Sequence, residues 1–322
     1  GTSFTFNQEP GPMGHTKQPN FLIVGAAKSG TTSLWHYLKQ HPDVFMPVNK
    51  EPMFFASSYY EKLNRKDPHY PLIMQYLVTD LAAYRRLFEK SEGKKAVGEA
   101  TATYLCHHDL VIPRVIQLLN DVKILMILRN PVDRAVSAYT FLLRDGEESL
   151  SLDECLNMEE ERMKSHWSMT HAYRGVGLYY SQVKAYMDNF SRVKVYLYED
   201  LVRDAQGLVK QMFEFLEVDS SFSPDVKTRH NISGVPTKAW IHRAISKPNL
   251  ATRSLTPLVK LITTEPQRRK IVEGLRGRYL SKPEITVETR GRLQEIFRDD
   301  ILKLQDLIGR DLSTWLASPA SR

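Results

Sequence analysis

The stretch Phe21-Leu-Ile-Val-Gly-Ala-Ala-Lys-Ser-Gly-Thr-Thr-Ser-Leu34 decides how the rest of the chain is read. Its apolar run, Phe21 to Val24, has the length of a short buried strand. Gly25 to Gly30 breaks the run and predicts a tight loop. Thr31 and Thr32 open a helix, and the spacing of Leu34 and Leu38 gives that helix an apolar face. Strand, glycine loop and helix N-terminus in this order make an anion site. The first helical amides have no partner inside the helix and sit at the positive end of its dipole. Lys28 adds a full charge, and Ser29, Thr31, Thr32 and Ser33 add hydroxyl donors around Gly30. The loop departs from a Walker A motif, because Gly25-x-x-x-x-Gly30 is followed by Thr31 and the lysine falls inside the loop. The phosphate loop of an NTPase or kinase is the competing reading at this point.

Outward from this stretch, three more apolar runs predict strands near 95–99, 122–128 and 193–198. Val122-Lys-Ile-Leu-Met-Ile-Leu128 is nearly continuous, as in a central parallel strand. With helices between the runs, the chain predicts a three-layer α/β fold around a mostly parallel sheet. Lys95-Ala-Val-Gly-Glu99 ends on a carboxylate, and strand ends face the ligand crevice in such folds. Glu99 is therefore either a site residue or a solvated loop acid. The central run leads into Arg129-Asn-Pro-Val-Asp-Arg-Ala-Val-Ser137. Pro131 starts a helix in its first turn. Arg129 as a charged fork and Ser137 as a hydroxyl donor can then meet on one phosphate.

Composition narrows the choice. The 322 residues carry a net charge of +7, which suits anionic ligands. No long Lys/Arg block marks a nucleic-acid protein. Cys106 and Cys155 are the two cysteines. They predict free thiols, without disulfide framework or metal cluster, and favour the cytosol. No apolar stretch approaches the roughly 18 residues of a membrane span, and no signal peptide is visible.

The remaining segments are assigned by pattern. Residues 1–19 read as a flexible lead-in, 20–316 as one domain, and 317–322 as a linker-like tail. Residues 57–91 read as structural helices, with Leu81, Tyr84, Leu87 and Phe88 on one face. Asn49-Lys-Glu-Pro-Met-Phe-Phe55 is either a surface turn or a carboxylate, Glu51, held at a cleft edge. Residues 144–172 are charged and read as a helical excursion from the core. Residues 219–265 are irregular, with Pro224, Pro236, Pro248 and Pro257, and read as a lid. Both segments are expected to cover the acceptor cleft.

Three motifs in order resemble the sulfotransferases that use 3'-phosphoadenosine 5'-phosphosulfate (PAPS). Lys28-Ser-Gly-Thr-Thr32 resembles their 5'-phosphosulfate loop. Arg129 with Ser137 resembles their 3'-phosphate motif. Arg276-Gly277-Arg278 resembles the late nucleotide-wrapping loop of the heparan sulfate enzymes. Tyr198-Glu-Asp-Leu201 and the closing segment to Leu316 look like bacterial members. The resemblance runs from about Asn20 to Leu316 and implies a P-loop-like sulfotransferase fold.

It also implies roles. Glu51-Pro-Met-Phe-Phe55 matches the heparan-type stretch that carries the base, with Met53 where that stretch has His. Glu51 is thus the first candidate base and Glu99 the second. Lys28 would meet the charge that grows on the leaving phosphate, and the amides of Ser29 to Ser33 would hold the 5'-phosphate. Arg129, Ser137, Arg276 and Arg278 would neutralise the 3'-phosphate. The reaction needs no metal. The Gly1 start and the Ala/Ser/Pro tail resemble an excised sulfotransferase domain of a modular polyketide synthase. The acceptor that this implies is the β-hydroxyl of an acyl chain on an acyl carrier protein, sulfated before decarboxylative elimination to a terminal alkene. A glycan or small alcohol is the alternative acceptor, and a non-catalytic nucleotide-binding module is the alternative class.

Overall fold

In the computed structural model, residues 18–227, 235–236, 280–281 and 285–317 are described. Strand β1 (Phe21–Gly25) is central in a five-stranded sheet with β2 (Val44–Phe45), β3 (Ala96–Ala100), β4 (Lys123–Leu128) and β5 (Val193–Leu197). The order is β2-β3-β1-β4-β5 and every pair is parallel. The four predicted strands form close to their predicted limits. The two-residue β2 was not predicted, because Val44-Phe45 is too short to show a period.

Alternation along the strands builds two cores. Leu22, Val24, Val97, Ile124, Met126 and Leu128 face one way, with Tyr104, Val111, Tyr186, Phe297 and Trp315. That layer is supplied by α5 (His108–Leu119), α6 (Pro131–Asp145), α8 (Tyr179–Asn189) and the final long helix, Val287–Ile308. Phe21, Ile23, Leu125, Ile127 and Tyr196 face the other way. They meet α1 (Thr31–Leu38) and α10 (Ala205–Leu216) through Leu34, Leu38, Val209, Met212 and Phe213. The result is the expected three-layer α/β arrangement, with both sheet faces covered. Close approach within the sheet requires glycine at one point: a Cβ on Gly98 would lie 2.1 Å from the Phe21 ring.

Residues 144–172 do not leave the core as expected. Helix α7 (Leu152–Lys164) begins with a capping box on Ser151 and Glu154, and it buries Leu152, Cys155 and Leu156. Its charges are partly internal: Arg162 forms a two-pronged pair with buried Glu148, at 2.6 and 3.3 Å. High charge content hid a helix that buries an ion pair together with its apolar stripe. Directly after β5 the chain forms a short helix, α9 (Tyr198–Arg203). Three short helices, α2 (Ser57–Tyr60), α3 (Tyr70–Tyr76) and α4 (Leu81–Arg86), fill the region between β2 and β3. Among the described residues, no helix is long and apolar enough to cross a membrane. Cys106 and Cys155 are free thiols.

Candidate active site

The chain runs from β1 to one edge of the sheet through β2 and β3, then to the other through β4 and β5. The crevice at the C-terminal end of β1 is therefore the switch point where α/β folds bind ligands. A cavity of about 580 Å³ opens there. Ala27, Lys28 and Gly30 to Ser33 line one end of it. Gly30 adopts φ 106°, and a Cβ there would come within 2.9 Å of Leu201. Only glycine serves at this corner. Helix α1 starts without a side-chain cap and with no acid in its first turn. In lacking a cap it resembles α2, α3, α5, α8 and α9, while α4, α6, α7, α10 and the final helix each take a cap from Asp80, Asn130, Ser151, Asp204 or Thr286. What sets α1 apart is that its first turn lines the cavity, where free amides can meet an anion.

Lys28 stands over the Phe141 ring, with Nζ 4.1 Å from its centroid. Burial lowers its pKa to about 7, and the positive charges of Arg144, Arg129 and Lys50 add to the effect against Asp145. Arg129, at the end of β4, stands over the Tyr198 ring, with its guanidinium carbon 4.6 Å from the centroid. It also donates to the Lys28 carbonyl at 3.3 Å, while Tyr179 Oη donates to its own carbonyl at 3.1 Å. Asn130 caps α6 through the Val132 amide, Pro131 fills the first turn, and Ser137 reaches the cavity two turns on. The loop after β1 and the turn after β4 thus bring Lys28, Gly30 to Ser33, Arg129 and Ser137 to one cavity, whereas Ser29 is fully buried beneath the loop, with its amide on the Ala26 carbonyl at 3.2 Å.

The two candidate carboxylates separate. Glu51 lines the cavity. Its Oε2 accepts from the Ala102 amide at 2.8 Å and its Oε1 takes the Lys50 ammonium. Glu99 is fully buried and is not among the cavity-lining residues. It accepts from Tyr84 Oη at 2.5 Å and from Thr101 Oγ1 at 2.8 Å. Burial raises its pKa to about 7, against the hydrogen bonds from Tyr84, Tyr104 and Thr101. Tyr84, expected only to pack, is the hydroxyl that holds this acid. Arg276, Gly277 and Arg278 lie outside the described residues, as does most of the predicted lid.

The opposite end of the cavity was not foreseen. Met53, Leu72, Ile73, Tyr76, Phe141 and Met169 give it an apolar wall. His69 lies in that wall, with Nδ1 2.5 Å from Glu147 Oε2. Arg134 lines the cavity with its guanidinium buried and donating to the Tyr173 carbonyl at 2.6 Å. These residues come from segments up to a hundred positions apart, so no local pattern announces them. Tyr198 alone had a signal, the aromatic directly after a strand facing the crevice.

The family model of the sulfotransferase domain matches residues 18–307. Membrane-associated sulfotransferase kil1 of Dictyostelium discoideum is 34% identical over 126 residues, 39% of this chain and 23% of that protein. Heparan sulfate glucosamine 3-O-sulfotransferase 3B1 of Mus musculus is 27% identical over 207 residues, 63% of this chain and 47% of that protein. The chain thus spans less than half the length of these two curated relatives. A crystal structure of a sulfotransferase from Alicyclobacillus acidocaldarius is 36% identical, with a TM-score of 0.70, over 94% of this chain and 100% of that one.

Proposed function

The chain belongs to the sulfotransferase domain family, and from that premise we propose that it moves the sulfuryl group of PAPS to an alcohol on an apolar acceptor. The observation that carries this reading is the composition of one cavity: an uncapped helix N-terminus with Lys28, Arg129 and Ser137 at one end, and an apolar wall at the other. The donor set fits a nucleotide with two separate phosphates. The α1 amides and Lys28 would hold the 5'-phosphosulfate. Arg129 and Ser137 would hold the 3'-phosphate, with Arg129 standing over the Tyr198 ring.

Transfer requires the acceptor oxygen and the leaving oxygen to lie in line with sulfur. Glu51 takes the proton of the acceptor hydroxyl. The oxygen forms its bond to sulfur while the bond from sulfur to the bridging oxygen breaks. That electron pair stays on the 5'-phosphate, beside Lys28. The negative phosphates beside Lys28 favour its protonated form, and its charge meets the one that grows on the leaving oxygen. Glu99, closed off behind Tyr84 and Thr101, supports the β3 end that carries the Ala102 amide to Glu51.

The apolar wall favours an acyl or ring-bearing alcohol over an anionic glycan. The β-hydroxyl of an acyl chain on an acyl carrier protein fits this class, and the basic chain suits an acidic carrier. A glycan remains the second reading, supported by the relative named for heparan sulfate. The deciding experiment is intact mass spectrometry of a 3-hydroxyacyl carrier protein incubated with the protein and PAPS. A gain of one sulfuryl group, absent with Lys28→Ala, is the expected result. No gain on the carrier, with gain on a heparan oligosaccharide, transfers the assignment to glycans.

A further inference from the structure

Among the described residues, His69 is the one imidazole that lines the cavity. Its Nδ1 lies 2.5 Å from Glu147 Oε2, a contact that places the proton on Nδ1 and leaves a lone pair on Nε2. No partner engages Nε2 among the described residues. Glu51 differs: one of its oxygens takes the Lys50 ammonium and the other the Ala102 amide.

The ring is fixed from several sides. The His69 amide donates to Asp67 Oδ1 at 2.8 Å, and its carbonyl accepts from Ile73 in the first turn of α3. Asp67 is buried and accepts from the Ser168 amide at 2.6 Å, and its Oδ1 lies 3.1 Å from His171 Nε2. The His69 ring stands edge-on to Phe141, with 5.9 Å between centroids, and Phe141 carries Lys28 on its ring. A single phenyl ring therefore separates the imidazole from the cation that meets the leaving group. The charged groups around it are Glu147 in contact, Asp67 and His171 behind its backbone, and Lys28 and Arg144, which share the Phe141 ring.

We propose that His69, oriented by Glu147, is a second proton acceptor for the acceptor hydroxyl, working in the same cavity as Glu51. The proposal rests on the sulfuryl-transfer reading. In this step the hydroxyl proton passes to Nε2 and the oxygen bonds to sulfur. The bond from sulfur to the bridging oxygen breaks, and its electron pair stays on the 5'-phosphate. Glu147 then faces an imidazolium, whose charge it balances.

The test uses 2-naphthol, an apolar phenol, as the probe acceptor, with PAPS at a fixed neutral pH. Glu51→Gln is expected to keep about 1% of the wild-type kcat, the lower end of what a general base contributes. Glu51→Gln with His69→Gln should lose a further factor of about 100, with the KM for PAPS unchanged. A double variant no slower than Glu51→Gln overturns the proposal. A second measurement needs no turnover: nitrogen NMR of histidine-labelled protein bound to PAP, the desulfated nucleotide. The His69 signal, assigned by its loss in His69→Gln, should show the Nδ1–H tautomer and an Nε2 that shifts on adding 2-naphthol. Glu147→Gln should mix the tautomers. A proton on Nε2, or an Nε2 unmoved by 2-naphthol, also overturns it. Failure of wild-type protein to bind PAP would instead sink the sulfuryl-transfer reading and leave the tautomer result standing.

Discussion

The two ends of the cavity are built in opposite ways. The phosphate end is assembled from two short contiguous stretches, 25–33 and 129–137, each hung on a central strand. Its geometry follows from backbone: a glycine corner, an uncapped helix and a proline-started helix. The proposed acceptor end is assembled from Met53, α3 with the loop before it, the end of α6 and the segment 166–173. It is held by side chains: Asp67 ties the Ser168 amide, the His69 amide and His171 together, and Glu148 ties Arg162. Cations left short of anions mark the first end. Buried acids already satisfied by donors mark the second. Ligand recognition there is thus set by packing that must be complete before any ligand arrives.

The sharpest way to break this contrast is Asp67→Ala. It removes the acid from buried donors, and unfolding by urea should show a loss of about 3–5 kcal/mol. Burial opposes ionisation of Asp67, but the hydrogen bonds from His171 and Ser168 outweigh it and hold the acid at about 2. Its contribution is therefore present above the ordinary aspartate range and fades as pH falls toward 2. His171 is the opposite case: burial disfavours its charge, yet Asp67 and Glu148 raise its pKa. That part of the stability is complete below the unfolded imidazole value and is lost as pH rises through the raised one. Stability of wild type in excess of Asp67→Asn should therefore shrink in alkaline solution. A flat difference would detach His171 from the cluster.

At the phosphate end the expected effects are on chemistry and not on folding. Lys28→Ala should lower kcat by about 10²–10³-fold, as loss of a group that meets developing charge does, with the melting temperature preserved. A variant equally impaired in folding would make the two ends alike. Arg129→Ala should weaken PAP by about 1.5–3 kcal/mol, the worth of a hydrogen bond to a charged group, measurable by calorimetry. PAP binding should also depend on pH through Lys28. With its pKa near 7 in the unliganded protein, binding restores the proton, so affinity should fall as pH rises above 7. In Lys28→Ala that slope should vanish. The smallest effect is Ser137→Ala, about 0.5–1.5 kcal/mol in PAP affinity.

The same contrast explains what could be read from the chain before its structure. Strands at 21–25 and 122–128 are continuous apolar runs, and the loop between Gly25 and Gly30 needs glycine where the backbone turns. Such signals lie within ten residues of each other, so the sheet, the glycine corner and the meeting of Arg129 with Ser137 at one cavity were legible. Glu99 was misjudged as facing the crevice or water, because burial behind Tyr84 depends on where α4 packs. Residues 144–172 were misjudged because Glu148, Glu159 and Arg162 look solvated in sequence and are buried in the fold. His69 carried no local sign: its meaning comes from Glu147, 78 positions away.

The sheet has a practical consequence for anyone wishing to redirect the protein. Its central strands send alternate side chains into two cores that share no buried residue, and α1 is anchored in one of them. Half of the acceptor wall, Met53, Ile73 and Phe141, belongs to the other. A graft that exchanges 52–91 together with 147–173 replaces one layer's contribution as a block, and leaves the α1 side of the sheet to fold on unaltered contacts. Exchange of either segment alone would divide the Asp67–Ser168 tie between two parents. The unit of inheritance for acceptor choice is therefore the pair of segments, and libraries that shuffle them jointly should retain nucleotide binding far more often than libraries that shuffle them singly.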